Sequence, residues 1–145
     1  MNIEDLNIAE LIDLKREAFN WRFIDDLQKE IDRRAMIDTV RLKRIRKRAG
    51  RCYELAYRGL KQSDNLRFAL VHGEVNGPPD LAPRTGHAWL ESNIDPIVYD
   101  AVKDKTIPID DYYRLANPTN ITKYTIIEAG YMIEETNHYG PWSED

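Results

Sequence analysis

Cys52 is the only cysteine in the chain, and it follows Gly50, which ends a run of 49 residues containing neither Gly nor Pro. One cysteine cannot close an internal disulfide or supply a CxxC-type zinc site. Three readings remain for it: core filler, accidental surface thiol, or nucleophile. The stretch from Cys52 to Leu60 reads as a helix, with Leu55, Ala56 and Leu60 available to a core and Gly59 near its end. A thiol opening a helix sees free backbone N–H groups and the positive end of the helix dipole, and both favour thiolate. The same N–H groups can stabilise an oxyanion on an acyl intermediate.

A second group makes the nucleophile reading specific. His87 lies in Gly86-His87-Ala88-Trp89-Leu90-Glu91. Strand alternation sends His87, Trp89 and Glu91 to one face and Ala88 and Leu90 to the other. Asp100 ends Ile97-Val98-Tyr99-Asp100. If Leu90 lies opposite Ile97 in an antiparallel hairpin, residues 87 and 100 are opposed too, on one face and about 5 Å apart. Asp100 would then hold one imidazole nitrogen of His87 while the other faces the thiol. Tyr53, which follows Cys52, and Trp89, on the strand face of His87, are the candidates for substrate contact.

Gly50-Arg51-Cys52-Tyr53-Glu54-Leu55-Ala56, then Gly86-His87-Ala88-Trp89-Leu90-Glu91, then Val98-Tyr99-Asp100 together resemble the core of the transglutaminase-like superfamily, a group of papain-related folds. The resemblance covers roughly residues 48–103. It implies Cys52 as nucleophile, His87 as base and Asp100 as orienting acid, with no cofactor. Tyr53 stands where many members have Trp or Arg, and Ala101 where Pro or Thr is common. The implied chemistry is acyl transfer: the thiolate attacks an amide-type carbonyl and releases an amine, and water or a second amine resolves the thioester. The upstream donor that often completes the oxyanion hole has only weak candidates in Asn20, Trp21 and Gln28.

These residues need elements to position them. Asn7 and Glu10 have capping-box spacing, with Leu6 and Leu11 as the flanking staple. Ile8, Leu11, Ile12, Leu14, Ala18 and Phe19 recur at helical intervals, followed by Phe23, Ile24, Leu27 and Ile31, then Ile37, Val40 and Ile45. The pattern leaves open whether these are separate helices or one bent rod. Segments 67–75, 86–91 and 97–102 read as strands separated by turn-forming residues, which suggests an antiparallel meander. A short helix over Asp110–Ala116 follows, and Thr125 with Glu128 caps another helix running to about Thr136. The expected class is α+β: one domain over residues 1–145, with a helical region at 1–49 against a small antiparallel sheet that belongs to a catalytic core at 50–145.

With 42% apolar and 32% charged residues, the composition is that of a globular chain, and a net charge of −4 gives no overall basic character. No apolar run approaches the ~20 residues that span a bilayer, so the expectation is a cytoplasmic protein without membrane contact. Arg41, Lys43, Arg44, Arg46, Lys47, Arg48 and Arg51 form a basic cluster that reads as a solvated helix face or, less favoured, an anionic-partner or nucleic-acid patch. His72, in a neighbouring strand, reads as a solvent-facing histidine. His138 in His138-Tyr139-Gly140-Pro141-Trp142 reads as part of a terminal aromatic anchor. The three histidines lack metal-ligand spacing, so no metal is expected. The stretch 76–86 is placed to rim a cleft.

The expected function is a cysteine-dependent acyl-transfer enzyme, whether amide hydrolase, peptidase, deamidase or transferase, acting on a protein, peptide or small amide. The alternative is a non-catalytic binding module of the same fold that holds an anionic partner or nucleic acid through residues 41–51.

Overall fold

A computed structural model describes residues 3–18, 21–35, 51–63, 67–76 and 84–142. Asn7 and Glu10 form the expected reciprocal cap: the Glu10 N–H donates to Asn7 Oδ1 (2.8 Å) and the Asn7 N–H to Glu10 Oε1 (3.0 Å). The helix they start, α1 (Ile8–Glu17), buries Ile8, Leu11 and Ile12 and ends at extended Ala18. A second helix, α2 (Trp21–Ala35), then begins, so the N-terminal periodicity belongs to separate helices. Arg34, near the end of α2, donates to the carbonyl oxygens of Leu6 and Ile3, which ties the two helices antiparallel. Leu27 and Ile31 carry the buried stripe of α2. The expected third helical stretch through Ile37, Val40 and Ile45, and all of the basic cluster except Arg51, lie outside the described residues.

The helix α3 (Cys52–Gln62) buries Leu55, Ala56, Gly59 and Leu60 on one face. Beyond it the chain forms β1 (Phe68–Val75), β2 (Thr85–Ser92), β3 (Ile97–Asp100) and β4 (Lys105–Pro108), then α4 (Ile109–Ala116), β5 (Thr119–Tyr124) and α5 (Ile126–Thr136). The five strands make one antiparallel sheet in the order β4-β3-β2-β1-β5. The class is therefore α+β. The sheet is larger than the expected meander, because β4 extends one edge and β5 returns to cover β1. Thr125 and Glu128 cap α5 as expected.

Strand alternation divides the core in two. Phe68, Leu70, Ala88, Leu90, Ile97 and Tyr99 face α1, α2, α3 and α5. Val71, Val75, Trp89 and Val98 face the other way, where Tyr112 of α4 covers them. Each fully buried Leu or Phe in these layers stabilises the fold by roughly 1.5–3 kcal/mol relative to exposure. No helix among the described residues is long and apolar enough to cross a membrane.

The β2–β3 register differs from the expected one. Leu90 pairs with Tyr99 and Glu91 with Val98, two residues away from the Leu90–Ile97 pairing. A shift of two preserves the face of every side chain, whereas a shift of one would have reversed it. The β2–β3 pairing stops at Leu90–Tyr99, so His87 lies beyond that ladder's last rung while still pairing with Gly73 of β1.

Candidate active site

Cys52 is the first residue of α3 and is partly exposed. The residue before it, Arg51, makes no side-chain cap. Its guanidinium turns instead to Glu54, with Nε–Oε1 at 3.1 Å and Nη2–Oε2 at 2.6 Å. Arg58 holds the same carboxylate at 2.8 Å. The helices α1 and α5 have complete capping boxes. By contrast, the N-cap residue of α3 gives its first turn no side-chain cap, and that turn begins at the thiol.

His87 Nε2 lies 3.0 Å from Asp100 Oδ2. A carboxylate only accepts, so Nε2 carries the proton and donates, leaving Nδ1 as the ring's second site. The contact runs along a diagonal of the ladder rather than between opposed residues, a span that a histidine side chain bridges. Asp100 is 1% exposed. Its Oδ1 accepts from the N–H groups of Val102 (3.0 Å) and Lys103 (3.3 Å), which fixes the carboxylate's orientation.

Electrostatics reinforce this arrangement. Burial disfavours the charged form of His87, but hydrogen bonding to Asp100 and to the Cys52 thiol outweighs it and raises the imidazole to about 9. Burial likewise opposes ionisation of Asp100, yet His87 and the Lys103 backbone hold its carboxyl below the ordinary value. The sequence-predicted His87 and Asp100 are thus in contact, and Cys52 lies near enough to act on the imidazole. A fourth group was not foreseen. Tyr112 is buried in α4 near Asp100, and burial, with the Asp100 charge nearby, pushes its phenol up. Nothing in the α4 sequence pattern distinguishes it from a core aromatic.

The expected substrate contacts fare differently. Trp89 is 0% exposed and presents no surface to a substrate, which corrects that expectation. Its indole N–H donates to Glu91 Oε2 at 2.9 Å, and Glu91 also accepts from the Tyr113 hydroxyl and pairs with Lys123 at 3.1 Å. The indole stacks alongside His87, with ring centres 6.1 Å apart, so it braces the imidazole. Tyr53 is partly exposed and follows the thiol directly. Its hydroxyl lies over Gly86, where a Cβ would stand 2.5 Å from the oxygen. Burial, with Cys52 and Glu74 nearby, raises its phenol to about 12.

His72 is not solvent-facing: it is 4% exposed, because β5 and the C-terminal residues cover its strand. Gln28 is no oxyanion donor, since its amide N–H groups go to Asp32 Oδ1 and the Thr106 carbonyl, both at 3.1 Å. Asn20 and the Trp21 side chain lie outside the described residues. So do residues 77–83 of the expected rim. The end of that stretch is anchored by Arg84, which donates to Asn76, Asn117 and Thr119. A cavity of about 460 Å³ lies between α2, β4 and α4, away from Cys52. Among the described residues no group of His, Cys, Asp and Glu is placed to hold a metal ion.

No protein-family model matches the chain, and neither the curated proteins nor the solved structures contain a match to it.

Proposed function

We propose that the protein is a cysteine-dependent acyl-transfer enzyme with a transglutaminase-like core, in which Cys52 attacks, His87 moves the proton and Asp100 orients His87. The observation that carries this reading is the His87–Asp100 pair at 3.0 Å, with the Cys52 thiol near enough to help raise the same imidazole. An imidazole raised to about 9 is protonated at neutral pH and favours a thiolate beside it.

The steps follow from those groups. Cys52 Sγ bonds to the carbonyl carbon of an amide, and the developing oxyanion takes hydrogen bonds from the first turn of α3. The C–N bond breaks as His87 gives its proton to the departing amine. Neutral His87 then accepts a proton from water or a second amine, whose attack on the thioester releases the acyl product and restores the thiol. The substrate class is a protein, peptide or small amide.

Iodoacetamide titration of Cys52 from pH 5 to 8 tests the reading. An activated thiol reacts well below pH 8.5, the ordinary free-cysteine value, and His87→Ala removes that advantage. Ordinary thiol behaviour in both proteins would overturn the proposal and leave a binding module as the better description.

A further inference from the structure

His72 is the most anomalous polar group among the described residues. Its ring is 4% exposed, and neither Nδ1 nor Nε2 has a hydrogen-bond partner. A buried imidazole without partners loses its hydration and gains nothing polar in return. Aromatic rings replace that hydration. Tyr53 of α3 stands edge-on at 4.8 Å, Tyr124 of β5 at 5.1 Å, and Trp142 lies at 4.9 Å. Trp142 and Tyr124 also meet edge to face at 5.0 Å.

The C-terminal residues close this cage. Trp142 Nε1 donates to the His138 carbonyl at 2.9 Å, and the Gly140 N–H donates to His138 Nδ1 at 3.1 Å, which folds residues 138–142 into a strap. The strap passes so close that a Cβ on Gly140 would stand 2.7 Å from His72 Cε1 and 3.2 Å from Tyr53 Cδ1. Gly140 also has φ +124°, where a side chain is strained. The strap therefore rests on His72, Tyr53 and Tyr124, with Tyr139 against Tyr57, and Tyr53 is the neighbour of the candidate nucleophile.

We propose that His72 is the catch of an acid-sensitive latch: its neutral ring seats the 138–142 strap over Tyr53, and protonation releases the strap and uncovers that flank of the site. Only the consequence for the site rests on the acyl-transfer reading. A charged imidazole in this cage would have no acceptor, while in the released state it gains water. Burial alone lowers His72 to about 4. The titratable groups around it are the phenols of Tyr53 and Tyr124, Glu74 two residues along β1, and His138 within the strap. The sign follows from linkage. Above 6.5 the ring is neutral whether docked or free, so docking is insensitive to pH. Between 6.5 and about 4 only the released form takes up the proton, so docking weakens by roughly tenfold per pH unit.

Amide hydrogen exchange on the full chain tests the latch, with rates corrected for their intrinsic pH dependence. Protection at the Trp142 indole N–H, read in the same exchange experiment and held by the His138 backbone carbonyl, should fall roughly tenfold per unit from pH 6.5 to 4.5, while the Leu90 amide in the sheet stays protected. His72→Phe should flatten that slope, and His138→Gln should keep it. The same slope in His72→Phe, its loss in His138→Gln, or a parallel loss at Leu90 would each overturn the proposal. If His72→Phe does not fold, NMR titration of His72 Cε1–H in the unmodified protein decides: a ring that protonates like a free histidine sinks the latch. None of these measurements reads Cys52, so an inert thiol would leave the latch standing.

Discussion

His87 meets Asp100 across a diagonal of the β2–β3 ladder, Nε2 to Oδ2 at 3.0 Å, rather than from an opposed position. Asp100 has a second duty in the turn after β3, where its other oxygen holds the N–H groups of Val102 and Lys103. Asp100→Asn is therefore the cleaner substitution, since Asp100→Ala would also empty the turn. In Asp100→Asn the alkylation of Cys52 at pH 6.5 should fall by about an order of magnitude or more, toward the ~1% thiolate of an ordinary cysteine. Turnover of an amide substrate should fall roughly a hundredfold or more. Unchanged alkylation in a folded variant would show that Asp100 does not orient the base.

Stability should carry the same signature. The folded value of His87, about 9, lies above its ordinary 6.5, so its contribution is complete below pH 6.5 and is lost as pH rises through 9. Asp100 is shifted the other way, and its contribution disappears only in acid. Urea unfolding at pH 6 and pH 9.5 should therefore differ by up to about 3 kcal/mol, the size of the His87 shift. In Asp100→Asn the difference should shrink. Equal midpoints in the unmodified protein would contradict the pairing.

Gly86 and Tyr53 should couple. A Cβ at position 86 meets the Tyr53 hydroxyl at 2.5 Å, and the next nearest atom, Cζ, is at an ordinary 3.8 Å. Tyr53 cannot simply swing aside, because His72 and Gly140 border its ring. Gly86→Ala should cost about 1–3 kcal/mol, and adding Tyr53→Phe should recover most of it. A double-mutant cycle by chemical denaturation measures this. Additive losses would mean that the tyrosine does not occupy that space.

Trp89 should behave as core. Trp89→Ala removes a completely buried ring and one of three partners of Glu91, so a loss of about 3–5 kcal/mol is expected in equilibrium unfolding. A residue that only touched substrate would leave stability nearly unchanged.

The parts of the fold legible in the sequence are those written locally. Two capping boxes, at Asn7/Glu10 and Thr125/Glu128, stand where the spacing placed them. The start of α3 at Cys52 and the alternation through His87 are local as well. Pairing is not local. The residues of β4, Lys105-Thr106-Ile107-Pro108, are too few to show a period, and they end in a proline that a central strand would reject. In β5 the exposed edge removes the apolar alternation, and Asn120 has positive φ. Without β5 and the strap, His72 had no visible reason to be buried. The two-residue error in the hairpin register did no harm to the site, because parity was kept.

The return of β5 to β1 sets an order of assembly. Cys52, His87 and Asp100 leave the ribosome within one stretch of chain, but the free edge of β1 has no neighbour until residues 119–124 follow. Until then β1, with Leu70, Val71 and Val75, presents unpaired N–H and C=O groups that any passing strand can join. The nascent protein thus has its candidate site residues before it has a protected sheet, and the unpaired β1 edge exposes it to aggregation in the interval between the two.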